Sequence, residues 1–214
     1  MDKLKMNLEQ KNAAVIVVDV QNDYCHPDGA IAKSGSDVSA VKKMMPHLHS
    51  LLEAARDNQV PVIFLQTNHE KATDSEVWLS RFADGINPIC HTGSWGAEFF
   101  EVAPRADEII VNKHRYSGFI HTRLESVLQT LKIETLVMTG VSTNLCVEST
   151  ARDGFMLDYH IVFMKDACAA FSQAEHDMTL QTVDTYFGMV ASTQELISFW
   201  QSHKPQKQPA LQHA

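Results

Sequence analysis

Six short apolar runs, none of them alternating with polar residues, restrict this chain more than any other feature. They are AAVIVVDV (13–20), VPVIFLQT (60–67), EIIVNK (108–113), TLVMTG (135–140), HIVFMKD (160–166) and the weaker GMVAST (188–193). A strand that is apolar at every position must be buried on both faces, which is the setting of a parallel sheet covered by helices. The intervening segments carry helical spacing. DVSAVKKMMPHLHSLLEAARDN (37–58) places Val41, Met44, Met45, Leu48, Leu51, Leu52 and Ala55 at three- and four-residue steps, with Asp37 as an N-cap and Pro46 as a point of kinking. TRLESVLQTLK (122–132) and EHDMTLQTVDTYF (175–187) repeat the pattern. Strand alternating with helix predicts right-handed crossovers and an α/β fold: a single-domain, doubly wound, six-stranded parallel sheet with helices on both faces.

A length of 214 residues suits one such domain. Residues 13–200 hold the periodic segments, behind a polar extension (1–12) and ahead of a polar, proline-containing tail (201–214). Residues 68–107 break the rhythm, with Gly85, Pro88, Gly93, Gly96 and Pro104 and one short helix predicted near 75–83. Long insertions of this kind in compact domains tend to serve binding, so 68–107 is read as a cover over the site. A net charge of −8 argues against a phosphate-backbone partner. No run approaches the roughly 20 apolar residues that span a bilayer. The N-terminus lacks the apolar stretch of a signal peptide, so a cytoplasmic, reducing location and no membrane partner are expected. Cys25, Cys90, Cys146 and Cys168 lack paired spacing, which speaks against a disulfide framework or a zinc knuckle.

In open parallel sheets, ligands bind beyond the carboxyl ends of the strands. Asp19 follows the first run, Lys113 ends the third, and Cys146 follows the fourth in TGVSTNLCVEST (139–150). An acid, an amine and a thiol thus converge on one edge. A cysteine near a helix start is expected to be easily ionised by the helix dipole, and a nearby lysine lowers its pKa further. A carboxylate can take the thiol proton and return it to a leaving nitrogen, and free backbone N–H groups can receive an oxyanion. Together these parts make an acyl-transfer site. Singly, Asp19 would cap a turn, Lys113 would be a solvated strand end and Cys146 a small buried hydrophobe.

The motifs VVDVQNDY (17–24), VNKHRYSGF (111–119) and TGVSTNLCVEST (139–150) resemble those of the isochorismatase-like cysteine hydrolases. The resemblance implies a Rossmann-like three-layer fold and an Asp19, Lys113 and Cys146 triad. It also implies a cis peptide between Val141 and Ser142 and an oxyanion hole from the Ser142 and Cys146 N–H groups. It implies a homo-oligomer, dimer or tetramer, and neither metal nor other cofactor for any step. KHRYSGF and CVESTARDGFMLDY look closest to the ureidoacrylate and N-carbamoyl amidohydrolase branch, which cleaves a C–N bond of a small ureido compound through a thioester-type intermediate. That carry-over makes Tyr116 and Gln66 substrate contacts, while Trp78, Phe82 and Trp95 are candidate walls of an apolar pocket.

Departures from the family pattern shape the rest of the expectation. The nicotinamidase branch carries a metal site after the second strand; in QTNHEKATD (66–74), His69 has no second ligand at matching spacing and reads as a loop histidine. The isochorismatases proper lack the nucleophilic cysteine, so Cys146 counts against vinyl-ether hydrolysis. Arg152 and Asp153, on the helix after Cys146, read as a structural ion pair. Two alternatives stay open: an amidase for an aromatic or heterocyclic carboxamide, with Trp78 and Trp95 stacking the ring, and a redox-sensing or protein-binding module.

Overall fold

The computed structural model describes residues 3–9 and 12–203, so nearly all of the expected tail at 201–214 lies outside the described residues. Among the described residues six strands form one parallel sheet: β1 (Ala13–Val18), β2 (Val62–Thr67), β3 (Ile109–Lys113), β4 (Thr135–Val141), β5 (His160–Ala169) and β6 (Met189–Ala191). Their order is β3-β2-β1-β4-β5-β6. The helices are α1 (Lys3–Leu8), α2 (Asn22–Cys25), α3 (Ala30–Lys33), α4 (Ser39–Asp57) and α5 (Glu76–Leu79) in the first half. In the second half they are α6 (Leu124–Thr130), α7 (Glu148–Met156), α8 (Gln173–Tyr186) and α9 (Thr193–Ser202).

Alternate residues of each strand point to opposite faces, and both faces are apolar. Val15, Val17, Val62 and Phe64 pack in one cluster with Leu48 and Leu52 of α4 and Trp200 of α9. Ile16, Ile63 and Leu65 pack in the other with Leu128 of α6, Ala151 of α7 and Val183 of α8. Three layers result. The polar N-terminal extension contributes as well, since α1 buries Leu8 in the first cluster and the Asn7 carbonyl accepts the Thr135 hydroxyl at 2.5 Å.

Two local readings shift by a residue or more. Helix α4 starts at Ser39, and Asp37 Oδ1 accepts the Ser39 N–H at 2.8 Å from one residue before the cap position. The helix runs on through Pro46. Strand β5 continues past Asp166 to Ala169, because the offset in its pairing with β4 between Met138 and Gly140 lets its last residues stay in the ladder.

Strand β1 lies between β2 and β4, and the chain proceeds from β1 outward to β3, then returns to β4 and runs the other way. The connections at the carboxyl ends of β1 and β4 therefore diverge, leaving a crevice at the point where the strand order reverses. The insertion folds over that edge. Gln21 Nε2 donates to the Thr67 and Ala97 carbonyls, both at 2.8 Å, and the Asp23 carboxylate accepts the Cys90 and Ala30 N–H groups at 2.6 and 3.1 Å. Residues 17–24 thus hold the cover as well as supplying Asp19.

Candidate active site

Asp19 is the first residue after β1, and its φ of 52° lies in the left-handed region that Asp adopts more readily than most residues. Its N–H donates to the Leu65 carbonyl at 3.0 Å, while its own carbonyl accepts the Gln21 N–H at 2.8 Å. The carboxylate is wholly buried. Thr67 Oγ1 donates to Asp19 Oδ1 at 2.8 Å and accepts from Lys113 Nζ at 2.9 Å. Lys113 Nζ also donates to the Arg115 carbonyl at 3.0 Å and stands 2.7 Å from Asp19 Oδ2. The register that sets Thr67 beside Lys113 lets the ammonium reach past β2 to the end of β1. Asp19 is thereby held between the Thr67 hydroxyl and the Lys113 ammonium, within hydrogen-bonding reach of the Cys146 thiol. Burial pulls Lys113 down, but Asp19 and Cys146 outweigh it and hold the ammonium above its ordinary pKa.

The next-to-last residue of β4 is Gly140, whose φ of 108° and whose Cα packed against the Val18 carbonyl both demand glycine. The Val141–Ser142 peptide bond is cis. One turn of π-helix, Thr143–Val147, then carries Cys146 before α7 begins at Glu148. The turn is anchored on both sides. Thr143 Oγ1 pairs with His176 Nδ1 at 2.9 Å, and Thr150 Oγ1 donates to the Cys146 carbonyl at 2.7 Å while accepting the Gly118 N–H at 2.9 Å. The YSGF and NLCVEST motifs are thereby joined.

Burial works against the ionisation that the helix start was expected to favour. Cys146 sits in the π-turn ahead of α7 and is 5% exposed. Burial pushes its thiol well above the ordinary value; Lys113 pulls it back and Asp19 pushes it further. The resting group is a thiol beside a carboxylate and an ammonium. All four cysteines are free and buried, and burial raises Cys25, Cys90 and Cys168 too.

Cys146 and Ser142 open on a cavity of about 100 Å³ that Trp78 and Tyr116 also line. Gln66 and Trp95 lie outside it. Gln66 spends its amide on the Ala97 carbonyl at 2.8 Å, and Trp95 packs edge-on against His26 with ring centroids 5.0 Å apart. Phe82 stands beside the Arg81 guanidinium instead of in the wall. His69 stands in the loop after β2, but buried: it is 1% exposed, lines the cavity, stacks on Trp78 at 5.0 Å and holds Asp74 Oδ1 at 2.7 Å through Nδ1. Burial lowers its pKa against the pull of Asp74. Arg152 pairs with Glu148, Nη2 to Oε1 at 2.6 Å, one helical turn away, because neighbouring residues such as Asp153 diverge on a helix. Sequence reasoning missed Tyr24, Asn87 and Phe171 in the wall; Tyr24, in the QNDY motif, had a signal, while the other two come from irregular segments. Among the described residues no group of three or more His, Cys, Asp or Glu side chains is placed to hold a metal ion.

A three-layer α/β enzyme with a buried thiol, carboxylate and ammonium at its switch point is the class that fold and site define. The isochorismatase domain matches residues 13–195, and the chain belongs to the isochorismatase family. It is a hydrolase, which displaces the sensor and binding-module reading. Ureidoacrylate amidohydrolase RutB of Acinetobacter baylyi is 31% identical over 216 residues, covering 93% of this chain and 88% of that protein. RutB of Stutzerimonas stutzeri is 35% identical over 201 residues, covering 86% and 81%. A cysteine hydrolase from Pseudomonas syringae pv. phaseolicola superposes with a TM-score of 0.83 at 31% identity, covering 92% of this chain and 96% of that one. Nicotinamidase PncA from Bacillus subtilis does so with a TM-score of 0.73 at 25% identity, covering 85% and 99%.

Proposed function

We propose that this hydrolase of non-peptide C–N bonds cleaves a small ureido or N-carbamoyl compound, with Cys146 as nucleophile, Asp19 as proton shuttle and Lys113 holding both. The observation that carries the reading is the 2.7 Å Lys113–Asp19 contact beside the buried Cys146 thiol on the cavity floor. Because burial keeps the thiol protonated, Asp19 takes its proton as sulfur attacks the ureido carbonyl. The Ser142 and Cys146 N–H groups receive the oxyanion. Asp19 passes the proton to the departing nitrogen, the C–N bond breaks, and an S-carbamoyl cysteine remains. Water, giving its proton to Asp19, splits the C–S bond; the thiol is restored, and the released carbamate decomposes to carbon dioxide and ammonia. The names of the RutB relatives support the ureido substrate.

A second reading keeps the machinery and changes the substrate to an aromatic or heterocyclic carboxamide. The aromatic side chains of Trp78 and Tyr116 in the cavity wall and the likeness to a nicotinamidase favour it. Intact-protein mass spectrometry of wild type and Cys146→Ala with ureido acids and carboxamides separates the two, with both gases measured. An adduct on wild type alone, with carbon dioxide and ammonia from one ureido compound, supports the first; ammonia without carbon dioxide supports the second. No adduct and no ammonia from any compound sinks both. A cytoplasmic homo-oligomer, dimer or tetramer, completes the reading; light scattering after size exclusion tests the assembly.

A further inference from the structure

At the end of β2 a side chain stands where a neighbouring strand would. The β1–β2 ladder stops at Val18 and Leu65, because β1 turns away at Asp19. Thr67, the last residue of β2, is 2% exposed and pairs instead with the amide of Gln21, which is 0% exposed. Gln21 Oε1 accepts the Thr67 N–H and Gln21 Nε2 donates to the Thr67 carbonyl, both at 2.8 Å. The same Nε2 donates to the Ala97 carbonyl at 2.8 Å, so the amide itself is held by the insertion. Two bonds from one planar amide fix the Thr67 backbone, and a β-branched side chain has few χ1 choices.

The hydroxyl that this clamp aims has its bonding settled by charge. An ammonium can only donate, so Lys113 Nζ, 2.9 Å from Thr67 Oγ1, takes an oxygen lone pair. The hydroxyl proton is left for Asp19 Oδ1 at 2.8 Å. The two anchors of Asp19 differ in kind. Lys113 is a compact charge on a flexible stem, 2.7 Å from Oδ2, and attracts the carboxylate without setting its plane. A hydroxyl bond is directional and weakens steeply off line.

We infer that Thr67 is a positioning residue for proton transfer: its hydroxyl, aimed by Gln21 and Lys113, holds the Asp19 carboxylate in the plane that receives the Cys146 proton. Its hydroxyl proton and a lone pair are already engaged, so it acts through Asp19 and not on substrate. The inference rests on Asp19 as the proton shuttle proposed above; it does not depend on which C–N bond is cut.

Thr67→Val keeps size and branching and removes the hydroxyl, while Thr67→Ser keeps the hydroxyl. Both are compared with wild type and Asp19→Asn in ammonia release from 3-ureidopropionate and from nicotinamide, and in crystal structures, which need no substrate. Misplacing a reacting group by about 1 Å costs about 100-fold, so Thr67→Val is expected to lose about that factor in kcat with KM within about threefold of wild type. Thr67→Ser is expected to stay within about threefold in both constants. The valine structure should show the Asp19 carboxylate turned while Lys113 stays on the Arg115 carbonyl, and the serine structure should show it in place. Wild-type kcat in Thr67→Val, a loss as deep in Thr67→Ser, or an unturned carboxylate in the valine structure overturns the positioning role alone. So does a heat-labile Thr67→Val that regains wild-type kcat on cooling, since that places Thr67 in the fold only. Wild-type turnover in Asp19→Asn overturns the proton shuttle and the positioning role with it.

Discussion

Lys113 Nζ stands 2.7 Å from Asp19 Oδ2 in a pair whose side chains are 1% and 0% exposed, with Thr67 Oγ1 hydrogen-bonded to both residues. Removing one member of a buried pair strands the other charge, which costs about 3–5 kcal/mol. Lys113→Met is expected to lose stability of that order in urea unfolding. The Asp19→Asn, Lys113→Met double variant regains most of it while remaining inactive. A Lys113→Met protein as stable as wild type would show that the pair adds nothing to the fold.

Cys146→Ala should abolish turnover and leave the melting temperature within a few degrees of wild type. Asp19→Asn should also abolish turnover. Without substrate, the alkylation rate of Cys146 is expected to climb through the ordinary thiol value of 9.0 without levelling off, because burial raises the pKa. Peptide mass spectrometry after timed iodoacetamide treatment reads this directly. A plateau below pH 7 would mean a resting thiolate.

His69 is held neutral by burial, so its folded pKa lies below its unfolded value of 6.5. The unfolded chain binds the proton first, so this contribution is present above pH 6.5 and is lost as pH falls below it. The slope approaches about 1.4 kcal/mol per pH unit while only the unfolded form is protonated. Denaturant midpoints between pH 7 and 5 should fall less steeply in His69→Gln than in wild type. Parallel curves would remove His69 as a source of acid lability.

Gly140→Ala places a methyl group against the Val18 carbonyl at a φ of 108°. Strain at such a backbone is about 1–3 kcal/mol before the collision is counted. The variant is expected to melt lower and to lose activity by more than the melting shift explains, since the turn bearing Cys146 starts here. Wild-type kinetics in a destabilised Gly140→Ala protein would show that the turn tolerates displacement.

The sheet and its helices were legible in the apolar runs, because a strand buried on both faces has no polar residues to hide it. Asp19, Lys113 and Cys146 were legible as a convergence, since the carboxyl ends of parallel strands meet at one edge whatever the loops do. The path of 68–107 was not legible. Periodicity says nothing about an irregular segment, and its tertiary contacts, among them those with Gln21, Asp23 and Arg115, bring Trp78 and Asn87 to the cavity and leave Trp95 outside. Nor could the sequence tell how deeply Cys146 is buried. Its place near a helix start suggested a thiolate, but the ionisation of a thiol depends on the water and charges around it, and those exist only in the folded site.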